Sequence, residues 1–270
     1  TLASTGETVD YEARILQADG SYAGYMTLAE AIAAVPTDGV QTRVEVMKNI
    51  TLTAALDIPQ DGKRNILLTD DGDGPYTITR AFTGETMIIL RTGNEMTLEG
   101  SSGDDSNPSL ILDGAGLAAA SDQGIIKVGT NTSANYHATL TVNAGVKLTN
   151  NKSGSNGSAI RVYGTLNMNG GVLDGNETTG TGGAISVEIT GAMNMTGGTI
   201  SNNKSAKEGG GIVVYGTGKL TIDEGTITGN QGTAGGGICT LYSNSAGGTV
   251  TINGGIISNN TGSGNGGAIF

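Results

Sequence analysis

From Leu140 to Phe270 the apolar and polar positions repeat as one phrase: an alternating strand, a Gly turn, an Ile or Leu, an Asn, and a Gly-rich run closing on Ile. In register the segments read LTVNAGVKLTNN (140–151), LNMNGGVLDGN (166–176), MNMTGGTISNN (193–203), LTIDEGTITGN (220–230) and VTINGGIISNN (250–260). Each is followed by GSAI, GGAI or GGGI, ending at Ile160, Ile185, Ile212, Ile238 and Ile269. These isoleucines lie 25, 27, 26 and 31 residues apart. That spacing is too short for a helix-pair repeat of about 33 residues or more and suits one coil of a β-solenoid. Within each phrase the period is 2, as in Leu220, Thr221, Ile222, which is the signature of a half-buried strand.

Three short strands per coil, stacked in parallel, put like residues above like. The register predicts inward ladders of Val142, Met168, Met195, Ile222, Ile252; of Leu148, Leu173, Ile200, Ile227, Ile257; and of the five closing isoleucines. Gly145, Gly171, Gly198, Gly225 and Gly255 fall where the chain must turn through angles that only glycine adopts freely. Asn151, Asn176, Asn203, Asn230 and Asn260 share one corner, where stacked amides hydrogen-bond from coil to coil and where Asn tolerates the left-handed conformation.

Upstream, residues 40–138 hold strand-sized runs (TRVEVM, NITLTA, NILLTD, YTITR, MIILR, MTLEG, SLILDG, GIIKV) at looser spacing, read as coils carrying insertions. Residues 1–39 precede them. There TLAEAIAAVP (27–36) sets Leu28, Ile32 and Val35 at helical spacing, with Thr27 as N-cap and Pro36 as a stop, and predicts a short helix covering the open end of the core. The regular coils occupy 139–270. The chain is thus read as one continuous all-β domain, a parallel β-helix with an N-terminal capping helix. The last phrase stops at GGAIF with Ile269 and Phe270 apolar, so the expectation is a piece of a longer solenoid or an end that self-associates end to end.

Composition narrows the partners. The 270 residues carry a net charge of −11 with only 14 Lys plus Arg and no basic stripe, which argues against nucleic acid. No apolar run is long enough for a transmembrane helix, so no membrane insertion is expected. One Cys excludes an internal disulfide, and 47 Gly beside no Trp describe turns and thin coils with an aliphatic core. Low Lys, abundant Gly, Thr and Asn, and an acidic surface lean toward a secreted or cell-surface location.

Candidate chemistry is sparse. His137 stands alone in NTSANYHAT with no nucleophile elbow beside it, and Cys239 is read as an outward, exposed or loop-covered thiol without a cationic neighbour. In DDGDG (70–74) Asp71 and Asp73 crowd oxygen ligands on a turn and are the candidate calcium ligands, although a twelve-residue calcium loop is absent; no other cofactor is expected. A glycosidase needs two carboxylates about 5–10 Å apart. The regular coils stack no such pair, since Asp174 aligns with Thr149, Ser201, Thr228 and Ser258. That mixed row also lacks the regular Thr ranks an ice-binding solenoid requires.

The segment TLAEAIAAVPTDGVQTRVEVMKNITL resembles the opening of pectate-lyase-like right-handed β-helix proteins, and LILDGAG (110–116) is a phrase common in that superfamily. The GGAI and SNN or TGN repeats are similar to those of chlamydial polymorphic outer membrane proteins and other bacterial adhesin-like surface proteins, with Ile or Leu here where the former have Phe. The resemblance implies a right-handed winding and a rod presented outside the cell, and transfers no catalytic residue. The expectation is a non-enzymatic bacterial surface module, an adhesin or stalk, binding a glycan or protein of a host or neighbouring cell. Tyr163 and Tyr215, equivalent in RVYGT and VVYGT, and Tyr242 on the long 239–248 excursion are its candidate contacts. The alternative is a polysaccharide lyase or glycoside hydrolase whose site lies upstream, where Asp104, Asp105 and Asp113 would meet Arg80 or Arg91.

Overall fold

Alternating inward residues and left-handed glycines at the corners wind the chain into a parallel β-solenoid of about eight turns. The computed structural model describes residues 9–130, 137–243 and 246–270. A sixteen-stranded sheet forms two walls of the coil, continuous with each other where the ten-residue strands Ala192–Ser201 and Lys219–Thr228 pass from one wall into the next. A seven-stranded sheet forms the third wall, from Leu56–Ile58 to Ile238–Leu241. Five short strands, Lys152–Ser153 to Thr261–Asn265, stack at the next corner.

All three inward ladders form in the expected register. Val142, Met168, Met195, Ile222 and Ile252 are successive parallel partners. So are Leu148, Leu173, Ile200, Ile227 and Ile257, and Ile160, Ile185, Ile212, Ile238 and Ile269. Every upstream run becomes a strand, joined by Leu56–Ile58, which sequence reading missed. The core is one cluster running the length of the rod. It opens to solvent at the last coil, where Ile252 and Ile269 are 43% and 42% exposed.

The asparagine corner needs one correction. The ladder asparagines point inward, and Asn151, Asn176, Asn203 and Asn230 are buried. The left-handed residues are those immediately before them: Asn150, Gly175, Asn202, Gly229 and Asn259, with φ between 54° and 68°. That preceding residue turns the chain, which swings the next side chain into the coil. There the amide oxygens of Asn176, Asn203, Asn230 and Asn260 each accept the backbone N–H of the ladder asparagine one coil below, as from Asn176 to Asn203 and from Asn203 to Asn230, both at 2.9 Å. The side-chain nitrogens of Asn176, Asn203 and Asn230 donate up the ladder at 2.9–3.0 Å, while that of Asn151 donates to the Gln123 and Ser158 carbonyls.

At the N-terminal end the helix Leu28–Ala34 forms as expected, with a complete capping box between Thr27 and Glu30. Leu28, Ile32 and Val35 are buried under it. An antiparallel hairpin, Ala13–Leu16 with Tyr22–Tyr25, joins it by pairing with the strand Asp38–Val46. No helix among the described residues is long and apolar enough to cross a membrane.

Candidate functional site

The outer face of the seven-stranded sheet carries two of the three candidate tyrosines. Their register follows from the strands: Val162, Val187 and Val214 are partners, so Tyr163, Glu188 and Tyr215 come next in line along the rod, and Tyr215 pairs with Leu241. Positions 161, 186, 213 and 239 face away from the core by alternation. Yet Ser186, Val213 and Cys239 are fully buried. The glycine arches before each strand lie across them. A Cβ on Gly157 would sit 3.0 Å from Ser186 Cβ, one on Gly182 2.8 Å from a Val213 methyl, and one on Gly235 2.9 Å from Cys239 Cβ. Of the two states expected for Cys239, exposed or loop-covered, the second is found. Burial, with Glu208 adding, pushes its thiol up to about 11.

Charge on this face is locally neutralised. Arg161 donates to Glu188 (2.8 Å), to Asp122 (3.3 Å) and to Ser155 Oγ (3.2 Å), and its guanidinium lies 5.1 Å from the centre of the Tyr163 ring. Burial by itself would favour discharge of Arg161, but Glu188, Tyr163 and Asp122 hold it charged. Ser186 Oγ donates to the same Glu188 oxygen at 3.0 Å, and Lys127 pairs with Asp122 at 3.1 Å. The Tyr163 phenol is pushed up to about 12 by burial, with Glu188 and Asp122 adding and Arg161 opposing. Tyr215 spans the face: its hydroxyl lies 2.6 Å from Thr181 Oγ1 and accepts from Asn156 at 3.4 Å, both in arches of earlier coils. Its ring, and not its hydroxyl, is therefore what Tyr215 offers a ligand.

Tyr242 stands beyond this strip. It is 82% exposed, the most exposed large apolar side chain among the described residues. It follows the strand Ile238–Leu241, and the excursion folds back through an antiparallel bridge between Ser243 and Ala246; residues 244–245 lie outside the described residues. A Cβ on Gly247 would sit 3.5 Å from the Tyr242 ring, so the ring backs onto a glycine.

Asp71 and Asp73 form a turn in which Asp71 Oδ1 accepts the Asp73 amide at 3.0 Å. Among the described residues no three His, Cys, Asp or Glu side chains converge as a metal site would require. The structurally engaged acid of that segment is Asp70, which the sequence places in the same acidic turn but outside the candidate calcium pair. It is fully buried and accepts from the Ser101 amide (2.8 Å) and hydroxyl, from Ser109 Oγ (2.7 Å) and from the Gly72 amide (3.2 Å). Burial opposes its ionisation, but those donors hold its carboxyl below the usual range.

The acids and arginines of the alternative upstream site do not meet. Arg80 is buried, donating to the Gln123 and Gly124 carbonyls and, at 2.9 Å, to Asn151 Oδ1, so it caps the start of the asparagine ladder; burial pulls it down to about 10. Arg91 is clamped on Asp57 at 2.6 and 2.7 Å. Asp104 accepts from Ser106, and Asp113 from the Ala115 amide and Asn150. Asp105 accepts the turn amides of Gly145 and Gly171 at 2.8–2.9 Å, pinning its loop to the rod. His137 is exposed before the strand Thr139–Val142. The chain matches no family model, no curated protein and no solved structure.

Proposed function

We propose that this chain is a non-enzymatic extracellular module of a bacterial surface protein, a right-handed β-helix of the pectate-lyase-like kind with adhesin-type repeats, acting as an adhesin or stalk. It binds a glycan or protein of a host or neighbouring cell through the lateral face of the seven-stranded sheet. The observation that carries this reading is Tyr242, an aromatic ring 82% exposed where the long excursion leaves the strand Ile238–Leu241, a single coil beyond Tyr215. An exposed ring backed by glycine presents a flat, rigid apolar surface, the form in which aromatic side chains stack on sugar or protein groups. In earlier coils of the same face Arg161, Glu188 and Asp122 satisfy one another, so their charges are spent within the strip.

The test is retention of the purified chain on a panel of glycans and on bacterial and animal cell surfaces, with Tyr242→Ala and Tyr215→Ala beside the wild type. Binding weakened by Tyr242→Ala with an unchanged unfolding midpoint supports the reading. Unchanged binding by both variants would sink the contact proposal. Release of reducing or unsaturated ends from a polysaccharide would replace the adhesin by the enzyme.

A further inference from the structure

The capping helix does not close fully on the first coil. Between its Ala29, Ile32 and Ala33 and the coil's Leu56 and Pro59 lies a cavity of about 360 Å³, within the size range of small-molecule sites. Ile32 and Leu56 are buried side chains of the core, so the floor is aliphatic.

One wall is Arg64, which is only 7% exposed. Its backbone N–H donates to Asn94 at 2.9 Å. Its terminal nitrogens are held by Asp61, one of them at 3.1 Å, while its Nε is buried without an acceptor among the described residues. A guanidinium carries five donors and cannot discharge at ordinary pH, so a buried one with a single counter-ion is under-satisfied. That counter-ion is on the water side: the Asp61 side chain is 50% exposed on the turn before the strand Lys63–Asp70. The other acid lining the cavity, Asp57, is already neutralised by the two-point contact from Arg91. An aliphatic floor with one under-satisfied guanidinium at its wall has the chemistry of a site for an apolar acid.

We propose that this cavity binds a small apolar monocarboxylate, its carboxylate pairing with Arg64 in place of Asp61 and its hydrocarbon lying on Ile32 and Leu56. Asp61 is then an internal competitor, and removing its charge strengthens binding.

The experiment is a methyl and amide NMR titration of the full chain at neutral pH with hexanoate, using hexanol and hexylamine as neutral and cationic controls. Hexanoate is expected to shift the Ile32 and Leu56 methyls saturably. Asp61→Asn should lower its half-saturating concentration by about tenfold, the worth of one charge-assisted contact. Arg64→Gln should remove the preference for hexanoate over hexanol. Equal response to hexanoate and hexanol in the wild type, or a half-saturation that Asp61→Asn leaves unchanged, overturns the proposal. So does the absence of any shift at Ile32 and Leu56 in both the wild type and Asp61→Asn, an arm that stands even if Arg64→Gln fails to fold.

Discussion

The asparagine corner shows how much a single side chain does in this rod. Asn203 accepts from the Asn176 amide and side chain and donates to Leu173 O and Asn230 Oδ1, all inside the coil. Asn203→Ala strands buried donors and acceptors on both sides, each costing about 1–3 kcal/mol. The expected loss is on the order of 3 kcal/mol or more in denaturant unfolding, where a loss below about 1 kcal/mol would mean the ladder is ornamental. Tyr163 gives a pH test. Its folded value of about 12 lies above its ordinary 10, so the folded state holds the proton more tightly. The stability this contributes is complete below pH 10 and is lost as pH climbs toward about 12. Tyr163→Phe should flatten the fall of the denaturation midpoint across that window, and an unchanged slope would contradict the assignment. The corner asparagines were legible as a stacked row but not in their backbone angle. Which of two adjacent residues turns left-handed decides which side chain enters the coil, and NN or GN looks alike either way.

At the scale of the element, the GGAI phrase resolves into two separate demands. The first glycine, at 182, 209, 235 and 266, adopts φ between 52° and 69°. The second abuts the next coil: a Cβ on Gly183 would fall 2.0 Å from Gly210 O. Gly183→Ala must therefore push two coils apart at a backbone contact that cannot rotate away. It should cost several kcal/mol, of the order seen for overpacked cores, measured as loss of unfolding midpoint. A cost within about 0.5 kcal/mol would show that the arches yield. Strand ladders were readable because a period of 2 with a fixed Gly leaves one register. The hairpin Ala13–Leu16 with Tyr22–Tyr25 was not, since ARIL and YAGY alternate only weakly. The strand Leu56–Ile58 is three residues long and too short to carry a period.

For the whole molecule, regular repetition assigns residues to jobs. Inward positions build a continuous core, arches roof the outer face of one sheet, and the excursion after Ile238 breaks the repeat and carries Tyr242 into solvent. Tyr163 and Tyr215 were legible at equivalent rungs of RVYGT and VVYGT, and Tyr242 as a residue of the 239–248 excursion. Sequence reading could not see the Arg161, Asp122 and Glu188 cluster between them, because those residues come from coils of unequal length and meet only once the insertions are folded out. Nor could it see that Arg80 and Arg91 are spent on the ladder cap and on Asp57. We propose that the rod holds a partner without transforming it. The most direct measurement is retention of the wild type and Tyr242→Ala on the glycan and cell-surface panel, with the soluble products analysed in parallel. The expected result is retention that Tyr242→Ala weakens, with no cleaved sugar. Retention indifferent to Tyr242, or the release of reducing or unsaturated ends, would contradict it.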